Sequence, residues 1–383
     1  MIYFDNAATT YPKPRGVPWA VYTSFRKYGA NPGRAGHDLS LNTSEQVYAC
    51  RRTLSRMFHT GNPENIAFTL NCTASLNMAI KGILKKGDHV VTSNLEHNAV
   101  MRPLEKMSRD GIITYSRVMV QAGNPTATVA AFEQALRPNT RLIVCTHVSN
   151  VFGVVLPVEQ IGAVAKKNGI CYIVDCAQSA GVLPVDLQAF HADCLCMPGH
   201  KGLYGPMGTG ILICSAPEKL NTIIEGGTGS LSKNLIQPEL MPDRFESGTL
   251  NVPGIIGLKA GLDFVNARGV ERIGTHEMEI ARRIHRGLSR IDGVRLYTPE
   301  PRDGVAAPVL SFNVGRLGSE QTASLLNESG IAVRAGLHCA PEAHRSFHTI
   351  DTGTVRVSPG AFNTDRDADH LIKSVFQIAK SHK

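Results

Sequence analysis

The sequence predicts an α/β fold: a large domain with a mostly parallel seven-stranded sheet flanked by helices, plus a smaller α+β domain at the C-terminal end. Three observations carry this expectation. Between residues 60 and 215, seven short apolar runs recur: "NIAFTL", "DHVVTS", "IITYSRV", "RLIVCTH", "CYIVDC", "DCLCM" and "GILIC". Between several of them lie stretches such as "SLNMAIKGILKKG" and "EQIGAVAKKNG", apolar at helical spacing and ended by glycine. From about Gly254 the texture changes.

Strands that alternate with helices fold as crossovers onto a parallel sheet covered on both faces. Ligands of such sheets lie at the carboxyl ends of the strands, so the residues just after each run carry the interest. Past Gly254, "GIIGLKAGLDFVNARGVERI" puts Ile255, Leu258 and Leu262 on one helical face, and a charged helix follows through Arg290. The runs "VRLYTP", "VLSFNVG", "IAVRAG" and "TVRVSPG" accompany a helix, "SEQTASLLNESG", and a last helix opens at Thr364 with Asp367 placed for a capping box. A chain of 383 residues suits two domains. Residues 16–257 are expected to form the large, ligand-binding one, and residues 1–15 with 258–383 the small one. The extended first dozen residues join the small domain or cross between the two.

Composition excludes several classes. The net charge of +8 comes from Lys and Arg scattered among Asp and Glu, with no basic run and no basic-aromatic interleaving, so no nucleic-acid partner is expected. "MIYFDNAATTYPKPRG" lacks the basic-then-apolar pattern of a signal peptide. The most apolar run, "RLIVCTHVSNVFGVVLPVEQ", is interrupted by Thr, His, Ser and Asn, so no membrane partner is expected either. Nine unevenly spread cysteines read as reduced thiols in the cytoplasm. Cys194 and Cys196, in "ADCLCMPG", read as buried strand rather than as a metal site.

The strand ends give a coherent inventory. "NIAFTL" is followed by Cys72, Thr73 and Ser75 at a helix start, which suits a phosphate, although Thr and Ser are also ordinary helix caps. His97 follows "DHVVTS", Asn150 follows "RLIVCT", Asp175 and Gln178 close and follow "CYIVD", and Lys201 follows "DCLCM". A lone histidine is more often structural than catalytic, and Asp175 alone reads as a helix cap. Together these residue types occupy five successive strand ends of one sheet, and coincidence does not explain that.

The set suits pyridoxal 5′-phosphate, whose aldehyde needs a lysine, whose ring nitrogen needs a carboxylate and whose phosphate needs an anion site. Lys201 would carry the cofactor, Asp175 would keep its ring protonated, Gln178 would reach the ring oxygen and His97 would lie over the ring. A partly desolvated pocket lowers a lysine pKa in the direction this chemistry needs. The "MPGHKGLYGPMGTG" stretch places that lysine in backbone bent by glycines and stiffened by Pro198 and Pro206.

The motifs "FDNAATT", "LEHNA", "THVSN", "DCAQ", "GHKGLYGPMGTG", "FESGTLN", "VRAGLHCA" and "RVSPGAFNT" make the chain resemble class V, fold-type I pyridoxal-phosphate enzymes. Within them it is most similar to the cysteine desulfurases, in the subgroup shared with selenocysteine lyases. The resemblance runs from Asp5 to about residue 370 in one order; the lysine and "RAGLHC" motifs are specific, and "FDNAATT" is shared by the whole class. It implies that Lys201 is the Schiff-base lysine and Asp175 the partner of the pyridine nitrogen. By the same carry-over Gln178 contacts the ring oxygen, His97 stacks on the ring, and Thr73 and His200 serve the phosphate. Thr249 matches a threonine that reaches the phosphate of the other subunit, which implies a homodimer. Asn150 and Arg356 match residues that orient the substrate, Arg356 by a bidentate grip on its carboxylate. Arg334 and His338 flank Cys339, which matches the cysteine that takes up sulfur as a persulfide. Cys339 also stands out by itself, lying in a loop pattern near Arg334, His338 and His344, where positive charge favours the nucleophilic thiolate.

Four departures point to a divergent branch. Pro198 stands where desulfurases have a phosphate-binding serine, Gly202 reads as an insertion, Leu337 replaces a histidine and Cys72 replaces Thr or Gly. The resulting expectation is a desulfurase that converts L-cysteine to L-alanine, with a sulfur-acceptor protein as a further partner. Selenocysteine lyase acting on L-selenocysteine, another class V aminotransferase-like enzyme, and a weakly active sulfur-relay or scaffold protein are the rivals.

Overall fold

The computed structural model describes residues 1–33 and 36–382. The strands are β1 Ile2–Tyr3, β2 Ile66–Thr69, β3 Asp88–Ser93, β4 Ile113–Val118, β5 Thr140–Thr146, β6 Cys171–Asp175, β7 Cys194–Pro198, β8 Gly210–Cys214, β9 Val294–Leu296, β10 Leu310–Val314, β11 Ile331–Ala332, β12 Arg334–Gly336 and β13 Thr354–Val357. The helices are α1 Gly16–Lys27, α2 Asp38–Met57, α3 Cys72–Ile83, α4 Asn98–Arg109, α5 Pro125–Gln134, α6 Val158–Lys167, α7 Val252–Arg268, α8 Val270–Leu288, α9 Ser319–Glu328, α10 Pro341–Ser346 and α11 Asp365–Ser381.

All seven predicted runs enter one sheet, in the order β2-β8-β7-β6-β5-β3-β4. The neighbours β7, β6, β5, β3 and β4 pair in parallel, and β8 is antiparallel to both β7 and β2. It follows that β2, β3, β5, β6 and β7 all point the same way and end on one edge. Both faces of the sheet are buried, as parallel sheets require. Along β5, Leu142 and Val144 pack into the apolar cluster on one face, and Ile143 and Cys145 into the cluster on the other. Cys194 and Cys196 are buried in β7, as the apolar run predicts, and all nine cysteines are free thiols.

Polar residues start the helices at the sheet edge. Asn71 caps α3 by accepting the Ala74 N–H, and His97 caps α4 by accepting the Ala99 N–H. The predicted capping box of Thr364 and Asp367 is formed at α11.

A second, four-stranded antiparallel sheet, β12-β13-β10-β9, packs on α8 and α11 around Phe312, Val355, Leu288 and Leu371. Phe4 joins this core, and β1 pairs in parallel with β11. α7 runs unbroken through positions 257 and 258.

Between the two cores lies Glu277 of α8, buried and bonded by the Tyr204 hydroxyl at 3.3 Å. Burial pushes its pKa up to about 8. A carboxyl whose folded pKa is raised favours folding most below its unfolded pKa, and that contribution is lost as pH rises through about 8. Glu277→Gln cannot ionise, so its thermal midpoint is expected to gain on the parent's across that window. Parallel melting-temperature profiles for the two proteins would refute this.

Candidate active site

The aligned strand ends place their residues around one cavity of about 170 Å³. Cys72, Thr73, His97, Asn150, Asp175, Gln178, His200 and Lys201 all line it, so eight of the thirteen predicted site residues converge there. Pro198 lines it as well, offering neither a hydroxyl nor an N–H.

Each side chain is set by its element. Asp175 ends β6 and is 3% exposed; its Oδ1 accepts the Ala177 N–H at 2.9 Å and faces the Cys72 thiol at 3.7 Å. Both contacts fall on Oδ1, which leaves Oδ2 for a ligand among the described residues. Burial raises the Asp175 pKa, opposed by the Ala177 N–H and by Lys201. Lys201 sits in the turn after β7, and burial lowers its pKa against the attraction of Cys72 and Asp175. Neighbouring glycines permit that turn. Gly181, at φ +85°, and Gly202 stack backbone on backbone, and a Cβ on Gly202 would lie 2.4 Å from the Ala180 carbonyl. The lack of a side chain at Gly202 therefore lets the lysine loop lie against the loop after β6.

His97 accepts the Ala99 N–H at Nδ1, 3.0 Å away, so its neutral ring carries the proton on Nε2. Burial, then Lys201, drives its pKa down to about 4. His200 is likewise lowered to about 4, and its buried Nδ1 has no partner among the described residues. Gln178 donates from Nε2 to the Ala7 carbonyl at 3.1 Å. Cys72 and Thr73 open α3, where backbone N–H groups lack intrahelical acceptors.

The small sheet lines none of this cavity but brings charge to bear on it. Arg334 of β12 pairs with Arg356 of β13, and both depress the His97 and Lys201 pKa values by charge. Arg356 is 1% exposed, bonds Asp5 Oδ1 at 2.7 Å and the Asn150 carbonyl at 3.0 Å, and keeps its Nε unpartnered. Cys339 is exposed, and the loop that carries it is pinned on both sides. Asn150 Nδ2 donates to the His338 carbonyl at 2.7 Å, and the Asn98 N–H to the Cys339 carbonyl at 2.7 Å. His338 Nε2 meets the Thr354 carbonyl at 3.0 Å, and burial takes its pKa down to about 2. His338 and Cys339 have φ of +49° and +59°, a left-handed pair costing of order 1–3 kcal/mol per residue that these bonds offset.

Thr249 is not among these residues. It is exposed and lines a separate cavity of about 1020 Å³ with Asn31, Arg52 and Thr228. Sequence reasoning also passed over Asp5 and Glu96. Asp5 stood inside a quoted motif, but nothing local signals a contact spanning 351 positions. Glu96, next to His97, is fully buried; its Oε1 accepts the Thr146 N–H at 3.0 Å and burial pushes its pKa up to about 8.

The donor set fits pyridoxal phosphate. A desolvated lysine and a buried acid with a free oxygen share the cavity, while the unpartnered His200 Nδ1 and the α3 N-terminus supply donors for an anion.

The sequence profile of the aminotransferase class-V family matches residues 2–371. A Methanothermobacter thermautotrophicus protein named "Probable cysteine desulfurase" is 36% identical over 99% of this chain and 94% of its own length. The cysteine desulfurase of Yersinia pestis is 32% identical over 99% and 94%. Among solved structures, the apo cysteine desulfurase of Thermococcus onnurineus superposes with a TM-score of 0.90 at 31% identity, covering 99% of this chain and 95% of that one. A cysteine desulfurase from Escherichia coli gives 0.87 at 25% identity, covering 99% and 94%. The chain thus belongs to the class-V aminotransferase family, as a pyridoxal-phosphate-dependent enzyme of its cysteine desulfurase branch.

Proposed function

We propose that this chain removes sulfur from L-cysteine, releasing L-alanine and leaving a persulfide on Cys339. One observation carries the reading: the loop of the exposed Cys339 is tied to the Lys201 and Asp175 cavity, its His338 carbonyl by Asn150, which lines that cavity, and its Cys339 carbonyl by Asn98, the residue after His97. When bound, pyridoxal phosphate supplies an aldehyde that condenses with amines and a protonated ring that accepts the electron pair left at a deprotonated Cα.

The chain's own residues do the rest. Lys201 Nζ, its basicity reduced by burial, takes the proton from Cα and returns protons to the product. The Asp175 carboxylate would keep the ring nitrogen protonated, and His97 presents a neutral ring with Nε2–H. Arg356, already oriented by Asp5 and Asn150, has Nε free for the substrate carboxylate. The Cys339 thiolate attacks the substrate sulfur; the S–S bond forms, the Cβ–S bond breaks, and its electron pair and a proton end at Cβ as the methyl of alanine.

A homodimer forms part of the proposal. Thr249 lies outside its own chain's Lys201 cavity, and Leu235, Ile236 and Leu240 stand exposed in the adjoining segment, a surface that another subunit would cover. Nine unpaired thiols suit a reducing compartment, so the proposal places the chain in the cytoplasm. No helix among the described residues is long and apolar enough to cross a membrane. The exposed Cys339 offers its sulfur to an acceptor protein.

Incubation with L-cysteine, with alanine measured and peptides mapped by mass spectrometry, tests the reading. Alanine is expected in step with a persulfide on the Cys339 peptide during the first turnover. Alanine with persulfide only on another cysteine would refute it.

A further inference from the structure

We propose that Thr9, Thr10 and Lys13 form a clamp that positions Lys201, with Lys13 its principal member. This rests on the reading of Lys201 as the cofactor-bearing lysine. Several donors converge on one peptide. The His200 carbonyl, directly before Lys201, accepts from Lys13 Nζ at 2.7 Å, Thr9 Oγ1 at 3.1 Å, and both the N–H and Oγ1 of Thr10 at 3.2 Å. The Lys201 carbonyl lies 3.1 Å from Thr10 Oγ1, whose single hydrogen it shares with the His200 carbonyl, and accepts the Tyr204 N–H at 2.8 Å. A carbonyl oxygen has two lone pairs, so Thr9 and Thr10 already satisfy it.

Lys13 is therefore surplus to the hydrogen-bond accounting, and it is costly. Burial alone brings its pKa down to about 8. Among the described residues no carboxylate is paired with it, and its second bond goes to Thr10 Oγ1 at 2.7 Å. A desolvated ammonium kept without an acid has a use that a neutral turn does not. A charged donor holds an acceptor more tightly than a hydroxyl does, and the shortest of the four contacts is the charged one.

The same segment also reaches β13 and the residue after it. Asp5 holds Arg356, the Ala7 N–H donates to Ser358 Oγ at 2.8 Å, and the Ala7 carbonyl receives Gln178. Residues 5–13 thus reference the peptide carrying Lys201 to the strand carrying Arg356. Displacement of a reacting group by about 1 Å costs on the order of a hundredfold in rate, which is the scale on which such a clamp acts.

The test uses holoenzyme. Lys13→Met is expected to bind one cofactor per chain and to keep its KM for L-cysteine within about twofold, while kcat falls about tenfold to a hundredfold. The visible circular-dichroism band of the bound cofactor, which reports how the ring is held, is expected to change, and Lys13→Arg to recover part of kcat. A Lys13→Met kcat within about twofold of the parent, or a loss of kcat with an unchanged dichroism band, overturns the clamp. Thr10→Val, which removes one donor and keeps the shape, is expected to move both readouts the same way and decides the matter should Lys13→Met not fold. Lys201→Ala separates the two readings. If it keeps a lysine-bound cofactor spectrum, the assignment of Lys201 fails and takes the clamp with it; an unaltered Lys13→Met beside a colourless Lys201→Ala overturns the clamp alone.

Discussion

Lys201→Ala is expected to be a folded protein that lacks the visible absorbance of a lysine-bound cofactor and turns over L-cysteine at least about 10⁴-fold more slowly than the parent. The size follows from the site. Among the described residues Lys201 is the only lysine lining the cavity, so none of them offers a second amine there. Its removal also leaves Asp175 buried without the cation that favours its ionised form, so the acid meant for the ring nitrogen is biased further toward neutrality. Absorbance, cofactor content and alanine production are measured together, with a thermal melt to establish folding. A variant that keeps the absorbance band, or retains a tenth of the parent's rate, would contradict the assignment.

Cys339→Ala is expected to split the reaction. The Ala side chain tolerates the left-handed backbone no worse than Cys, and the bonds pinning the loop are made by backbone carbonyls that the substitution leaves alone. The cavity therefore keeps its shape, the bound cofactor keeps its colour, and Lys201 continues to exchange the Cα proton of L-cysteine with solvent deuterium. Sulfur transfer loses its acceptor, and alanine formation falls about a hundredfold or more. Proton exchange by NMR and sulfide release by colorimetry check the two halves separately. Sulfide release at the parent's rate would show that another group takes the sulfur.

These expectations draw on residues that differ in how visible they are from the chain alone. Lys201, Asp175, Gln178, His97 and Asn150 follow or close short apolar runs, and a run buried on both faces of a parallel sheet is recognisable from its own composition. Once the strands are parallel, their carboxyl ends share an edge, so residues spread from 72 to 201 meet in one cavity. The helix caps at α3 and α11 and the buried thiols of β7 are likewise matters of a few adjacent residues.

Other features have no local signature. Asn150 lines the cavity, as a substrate-orienting residue would, and its amide also donates to the His338 carbonyl 188 positions away, a hold on the Cys339 loop that nothing local announces. Arg356 bonds Asp5 across 351 positions, and Thr249 faces a different cavity from Lys201. Lys13 has no signal of its own in "YPKPRG"; its contact depends on the N-terminal segment lying across the His200 carbonyl.

Composition and periodicity alone determined the sheet, its layering and the chemistry gathered at its edge, because strand and helix formation and two-sided burial depend on near neighbours in the chain. Only the tertiary structure decided which donors meet which carbonyls, where the exposed thiol is pinned and which lysine supports which. Those pairings depend on how the small sheet and the first dozen residues dock against the large one, and that docking sums contacts hundreds of residues apart.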